Sequence, residues 1–153
     1  MRAIARSAVL VCIACVLACA DTHDDVMAVL AKMAAALTDA SGDGARNAGG
    51  NAAEFMSAVS KEMADYDTLR NNVTALTTNA ELSASILPLM EGEAGQTYKI
   101  NLDWFLEIRS LEQDGPLVRR REVVHCELRK EKGHWKIIAL HPVDFFAPPP
   151  LGR

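Results

Sequence analysis

Thr97–Leu111 is the run TYKINLDWFLEIRSL. Its even positions, Tyr98, Ile100, Leu102, Trp104, Leu106 and Ile108, are all apolar or aromatic. Its odd positions, Lys99, Asn101, Asp103, Glu107 and Arg109, are polar, with Phe105 the exception. Successive side chains of a strand point to opposite faces. The run therefore predicts a strand with one dry face and one wet face, because a helix would scatter both sets around its circumference.

Downstream, Gln113-Asp114-Gly115-Pro116 is turn chemistry. A second strand is expected over Leu117–Lys130. Val118, Val124, Cys126 and Leu128 share its dry face, and Arg119, Arg121, His125, Glu127 and Arg129 share the other with Leu117 and Val123. Glu131-Lys132-Gly133 predicts a tight hairpin into a last strand, His134–Phe146. There both faces carry apolar residues, so the strand is covered on both sides or bends at Pro142. Long neighbouring strands joined by tight turns pair antiparallel. Upstream, Glu81–Glu91 is also strand-like, and Pro88 puts it at a sheet edge or a bulge.

The first half of the chain is helical in pattern. Asp21–Asp25 offers cap residues and first-turn acids, and Val26, Val29, Leu30, Met33 and Leu37 follow at helical spacing, predicting a helix from Asp21 to about Ala40. Ser41–Gly50 is a Gly/Asn/Ala-rich connection without phosphate-loop spacing. Asn51 is placed to cap a short second helix, with Glu54 three residues on and Phe55, Met56 and Val59 as its apolar side. A third helix is expected over Tyr66–Asn79, with Leu69, Val73 and Leu76 on one face. Helices followed by a run of strands predict an α+β layer, helices packed on one face of an antiparallel sheet.

The chain has 153 residues and a formal net charge of −4. Without Arg2 and Arg6 the remainder carries −6. An acidic domain matches a phosphate backbone poorly, so nucleic acid is not an expected partner. Met1–Ala20 has two arginines ahead of an apolar run from Ala8 to Ala20. That run is shorter than the roughly 20 apolar residues of a bilayer span, and it fits an export signal with small residues at its end. Two processing schemes stay open. Ala18-Cys19-Ala20 is a cleavage site that releases a chain starting at Asp21. Val16-Leu17-Ala18-Cys19 resembles a bacterial lipobox, in which Cys19 would carry the lipid. Residues 21–146 are then the folded domain, 147–153 a Pro-rich tail, and the protein is expected in the periplasm or lipid-anchored to the bacterial envelope. Membrane attachment would come only through a lipidated Cys19.

Three features resemble one family. The element order, helices and then a bent sheet of about four long strands, looks like the nuclear transport factor 2-like, or SnoaL-like, cone fold. The run Gly133-His134-Trp135-Lys136-Ile137-Ile138 is similar to the segment that opens the last strand in many members. Asn51-Ala52-Ala53-Glu54-Phe55 resembles the opening of their second helix. Asp103-Trp104-Phe105-Leu106, taken with Asp144-Phe145-Phe146, looks like an exported bacterial subgroup of unassigned activity. The resemblance covers about Asp21–Phe146. It implies a pocket between the concave sheet face and the helices. It leaves function open, because the fold hosts isomerases, dehydratases and non-catalytic modules.

By strand parity, Tyr98, Trp104, Cys126 and Trp135, with Tyr66 from the third helix, line that pocket. An isomerase or dehydratase would need a general base inside it, where burial tunes the pKa. Asp103 lies on the wet face. His125 shares a face with Arg121 and Arg129, opposite Cys126, so the adjacent His and Cys form no nucleophile–base pair. Glu122 shares parity with Val124 but also with Arg120, which suggests a salt-bridged pair at the pocket mouth. His141 shares parity with Trp135 and Ile137, which makes His141 and Glu122 the remaining candidate bases. No metal is expected, since His23, His125, His134 and His141 have no paired spacing along the chain, and no cofactor is implied. The expectation is a non-catalytic domain that binds a small apolar ligand or a partner protein. The alternative is a small-molecule isomerase or lyase. Phe105, Leu117 and Val123 on the wet face further suggest a homodimer formed through the open side of the sheet.

Overall fold

The computed structural model describes residues 7–38, 50–112 and 115–150, with side chains from Asp21 onward. Three helices precede a four-stranded antiparallel sheet. They are α1 (Ser7–Thr38), α2 (Ala52–Ser57), α3 (Tyr66–Asn79), β1 (Ala80–Ala94), β2 (Thr97–Ser110), β3 (Leu117–Glu131) and β4 (His134–His141). A 3-10 turn, Val143–Phe146, follows β4. The strands lie in chain order, β1-β2-β3-β4, so β1 and β4 are the edges. Among the described residues, no helix is long and apolar enough to cross a membrane.

Strand parity holds along β2. Ile100, Leu102, Trp104, Leu106 and Ile108 are buried at 1 % exposure or less, and Tyr98 is buried with them. On the same face Val124, Cys126 and Leu128 of β3 are buried, while Leu117 and Val123 lie exposed on the other. Against this dry face pack Val26, Leu30, Met33 and Leu37 of α1, Phe55 of α2, and Leu69, Val73 and Leu76 of α3. β1 bulges between Pro88 and Met90, where proline cannot donate to the ladder. The β3–β4 hairpin closes through Lys132 and Gly133 at φ 50° and 83°, the left-handed pair that a two-residue hairpin turn requires.

Two helix starts differ in kind. Asn51 Oδ1 accepts the Glu54 backbone N–H at 3.0 Å, as its position ahead of α2 implies. Asp21, by contrast, starts nothing. α1 runs through it from Ser7 to Thr38. Capping residues permit a start without forcing one, and no Gly or Pro interrupts the chain there. The side chain of Cys19 and the connection 39–49 lie outside the described residues, as do Gln113, Asp114 and the end of the tail, 151–153.

The last strand is shorter than its apolar sequence suggests. It ends at His141, before a cis bond to Pro142, and Val143–Phe146 winds into a 3-10 turn instead of extending. The turn drops Phe145 and Phe146 into the core at 4 % and 0 % exposure. β4 also carries one extra residue relative to β3: Glu127 faces Ala139, but Leu128 faces Ile137. A bulge of this kind shifts every later side chain to the other face. Ile137 and Leu140 are therefore both buried, and His141, expected inside, is exposed.

Candidate functional site

Around Trp104, the space that the resemblance assigns to a pocket is packed with side chains. Trp104 is fully buried. Its ring meets Phe146 edge-on at 5.1 Å and lies 6.4 Å from Phe145, while Phe55 packs against Phe146 at 5.4 Å. Cys126 is buried between Ile100 of β2 and Leu140 of β4, and burial pushes its thiol up to about 12. A thiol so held is a small core residue and not a nucleophile.

The candidate bases sit outside that interior. His141 and Glu122 are both exposed. Arg120 does not close an ion pair with Glu122. Its Nη1 donates instead to the carbonyl oxygens of Phe145 (2.8 Å) and Ala147, and burial lowers its pKa. This clasp holds the 3-10 turn against the sheet. Asp103, on the outer face, accepts a forked pair from Arg121 at 2.6–3.1 Å. Those hydrogen bonds hold its carboxyl below the ordinary aspartate value. Arg119 pairs with Glu107 across the ladder at 2.9 Å.

Among the described residues, Tyr66 lines a groove that the other four expected pocket residues do not reach. Tyr98 and Trp135 come together at the hairpin end of the sheet, ring centroids 6.2 Å apart, with Lys130 Nζ 5.4 Å from the Trp135 centroid. His23 of α1 and Glu91 of β1 join them there. Glu91 Oε2 accepts from the Tyr98 hydroxyl at 2.9 Å and from His23 Nδ1 at 2.8 Å. The cluster ties α1 to the β1–β2 hairpin. Trp104 and Cys126 lie deeper, in the core.

Tyr66 belongs to a different feature. An open groove of about 940 Å³ runs between α2, α3 and the β3–β4 hairpin. Its apolar wall is Met56, Val59 and Tyr66, and its cations are Lys61, Arg70, Lys132 and Lys136. The floor is built by β4 pairing with the chain after α2. Ser60 N–H donates to Ile137 O at 2.8 Å, and Ile137 N–H to Ala58 O at 2.9 Å. Lys136 Nζ donates to Ser57 O.

Both acids on the groove are engaged. Ser60, itself buried, donates its hydroxyl to Glu131 Oε1 at 2.8 Å. Arg129 Nη2 reaches Glu131 at 3.1 Å and Glu62 at 3.3 Å. The Ser60 hydrogen bond, with Arg129 behind it, lowers the Glu131 pKa. Arg70 pairs with Asp67 at 3.0 Å and stands 5.9 Å from the Tyr66 ring centroid. Lys61 and Lys132 are exposed. The wall was foreseeable only in part. Asn51 and the Trp135-Lys136 motif mark two of its elements, but nothing in linear spacing brings residue 61 to residue 132.

Among the described residues, no set of three or more His, Cys, Asp or Glu side chains could hold a metal ion. No family model and no curated protein matches the chain. Among solved structures it is similar to a nuclear transport factor 2-like protein of unknown function from Shewanella baltica OS155. That match has 14% identity and a TM-score of 0.48, and it covers 80% of this chain and 96% of that one. It is also similar to a SEC-C motif containing protein from Rhodopseudomonas palustris, at 14% identity and a TM-score of 0.38, over 58% of this chain and 63% of that one. Three helices ahead of a four-stranded antiparallel sheet in the order β1-β2-β3-β4 give this chain an α+β architecture, helices packed on one face of the sheet.

Proposed function

We propose that this protein is a non-catalytic binding domain whose site is the groove between α2, α3 and the β3–β4 hairpin. The ligand class that suits it is a small molecule with an apolar body and an acidic head. The observation that carries the reading is the charge arrangement. Four cations border an apolar wall, Arg70 and Lys136 held by Asp67 and the Ser57 carbonyl and Lys61 and Lys132 exposed, while both carboxylates are already held by Ser60 and Arg129. Ligand sites combine such an apolar surface with a few placed polar groups. The isomerase or lyase alternative is disfavoured by the exposure of His141 and Glu122 and by the filled interior around Trp104. General-base chemistry needs a titratable group inside the pocket.

The test is a titration with 2-naphthoate, followed by heteronuclear NMR, beside the neutral analogue 2-naphthalenemethanol. The naphthoate is expected to shift Tyr66, Met56 and Val59 resonances more strongly than the alcohol does. The double variant Lys61→Glu/Lys132→Glu should bind it at least tenfold more weakly, which is about 1.4 kcal/mol. Equal binding of the two probes, or an unaffected double variant, would refute the assignment.

Export is part of the proposal, because Met1–Ala20 has the charge and hydropathy layout of a signal. Mass spectrometry of the native N-terminus decides between a lipid on Cys19 and a free Asp21, and an intact Met1 would refute export. A homodimer is compatible with either outcome. Leu117 and Val123 are exposed on the outer sheet face, and Leu87 and Met90 of β1 extend the apolar area at 59 % and 68 % exposure. Sedimentation that stays monomeric at high concentration would exclude the dimer.

A further inference from the structure

We propose that His125 and His141 form a two-imidazole site for a divalent transition-metal ion of the zinc, nickel or copper class. The two residues are direct partners across the β3–β4 ladder, and both are exposed on the outer face of the sheet. Opposed residues of an antiparallel pair hold their Cβ atoms about 4.5–5.5 Å apart. That separation lets one nitrogen of each ring approach a single ion to about 2.0–2.1 Å. Both positions are set by strand backbone, so little chain entropy is lost when an ion draws the rings together.

A second feature points the same way. Asn101 faces His125 from β2, and its Oδ1 accepts the His125 Nδ1–H at 2.7 Å. Placing the proton on Nδ1 leaves the lone pair on Nε2, the nitrogen a metal would take. Metal-binding histidines characteristically donate their other ring N–H to an oxygen in this way. Linear spacing conceals the pair, because 16 positions separate the residues. Strand parity conceals it too, since the extra residue in β4 is what carries His141 to the outer side. No third His, Cys, Asp or Glu among the described residues completes the shell. Water therefore fills the remaining positions, and binding is weaker than at a closed four-ligand site. Imidazole ligands favour zinc, copper and nickel over magnesium and calcium.

The experiment is calorimetric titration of untagged protein with zinc chloride, and with magnesium chloride beside it. One zinc per chain is expected, with no heat from magnesium. His125→Ala and His141→Ala should each weaken zinc at least tenfold. Asn101→Ala should weaken it by about 10- to 100-fold through loss of the ring's orienting bond. All three positions are on the outer face, and circular dichroism should show each variant folded. Nitrogen-15 imidazole spectra give an independent readout, with zinc shifting Nε2 of His125 and a ring nitrogen of His141 together. Zinc affinity unchanged in either histidine variant would overturn the site, as would the absence of zinc binding by the parent protein.

Discussion

Trp104 is the side chain on which the interior closes. It is fully buried, it abuts Phe145 and Phe146, and its Nε1–H is enclosed without a hydrogen-bond partner. An orphaned donor costs about 1–3 kcal/mol, so the ring must contribute more than that through packing. Truncation to alanine removes the packing and leaves a cavity. Trp104→Ala should destabilise the fold by about 3–5 kcal/mol. Trp104→Phe keeps an aromatic ring against Phe146 and deletes the orphan, and should cost less than half as much. Urea unfolding of both variants checks the pair, and equal losses would show that the ring is not packed as described. The burial of Trp104 was legible in the sequence because β2 keeps a strict two-residue period from Tyr98 to Ile108. The exposure of His141 was not, because its parity is inverted by one inserted residue that leaves no mark in composition. Glu122 and Arg120 show a third case: parity brought them to one face, but the carbonyls that Arg120 clasps belong to the turn after Pro142, remote in sequence.

At the scale of elements, the β3–β4 hairpin is anchored to the chain between α2 and α3. Ser60, Glu131, Arg129 and Glu62 form that anchor, and it fixes one wall of the groove. Glu131 has a folded-state pKa below its ordinary value, first through the Ser60 hydroxyl and then through Arg129. The folded chain thus binds the Glu131 proton less well than the unfolded chain does. Its stabilising effect is present above the ordinary carboxyl pKa and is lost as pH falls through the lowered value. Glu131→Gln keeps an acceptor for Ser60 but removes the charge. Thermal melts should show the variant less stable than the parent near neutral pH, with the two converging in acid. A constant gap at all pH values would mean that the charge is not what matters. The bounds of α3 and the edge position of β1 were readable from Leu69, Val73, Leu76 and Pro88. The 3-10 turn was not, because Val143-Asp144-Phe145-Phe146 has the composition of a strand, and only the geometry after Pro142 coils it. Nor was the groove, whose wall joins Met56 and Tyr66 to a hairpin more than sixty positions away in sequence.

For the molecule as a whole, the described core begins at Val26 and ends at Phe146. The closing turn is therefore as much a part of the fold as the sheet. Phe145, Phe146 and Val143 are all buried, and Arg120 hydrogen-bonds to the carbonyls of Phe145 and Ala147. Losing even one buried phenylalanine costs about 3–5 kcal/mol, against a net stability of about 5–15 kcal/mol for a domain. A chain truncated after His141 should then fail to hold a fixed core. It would bind a hydrophobic dye, retain far-ultraviolet dichroism and lose its near-ultraviolet signal. A chain beginning at Asp21 keeps every described core side chain from Val26 onward, and should unfold cooperatively. Near-ultraviolet dichroism of the two truncations, measured side by side, separates these outcomes. A cooperative, native-like melt from the chain ending at His141 would mean that the four strands and three helices close the interior without the aromatic turn. Trp104 would then need another neighbour to keep it dry.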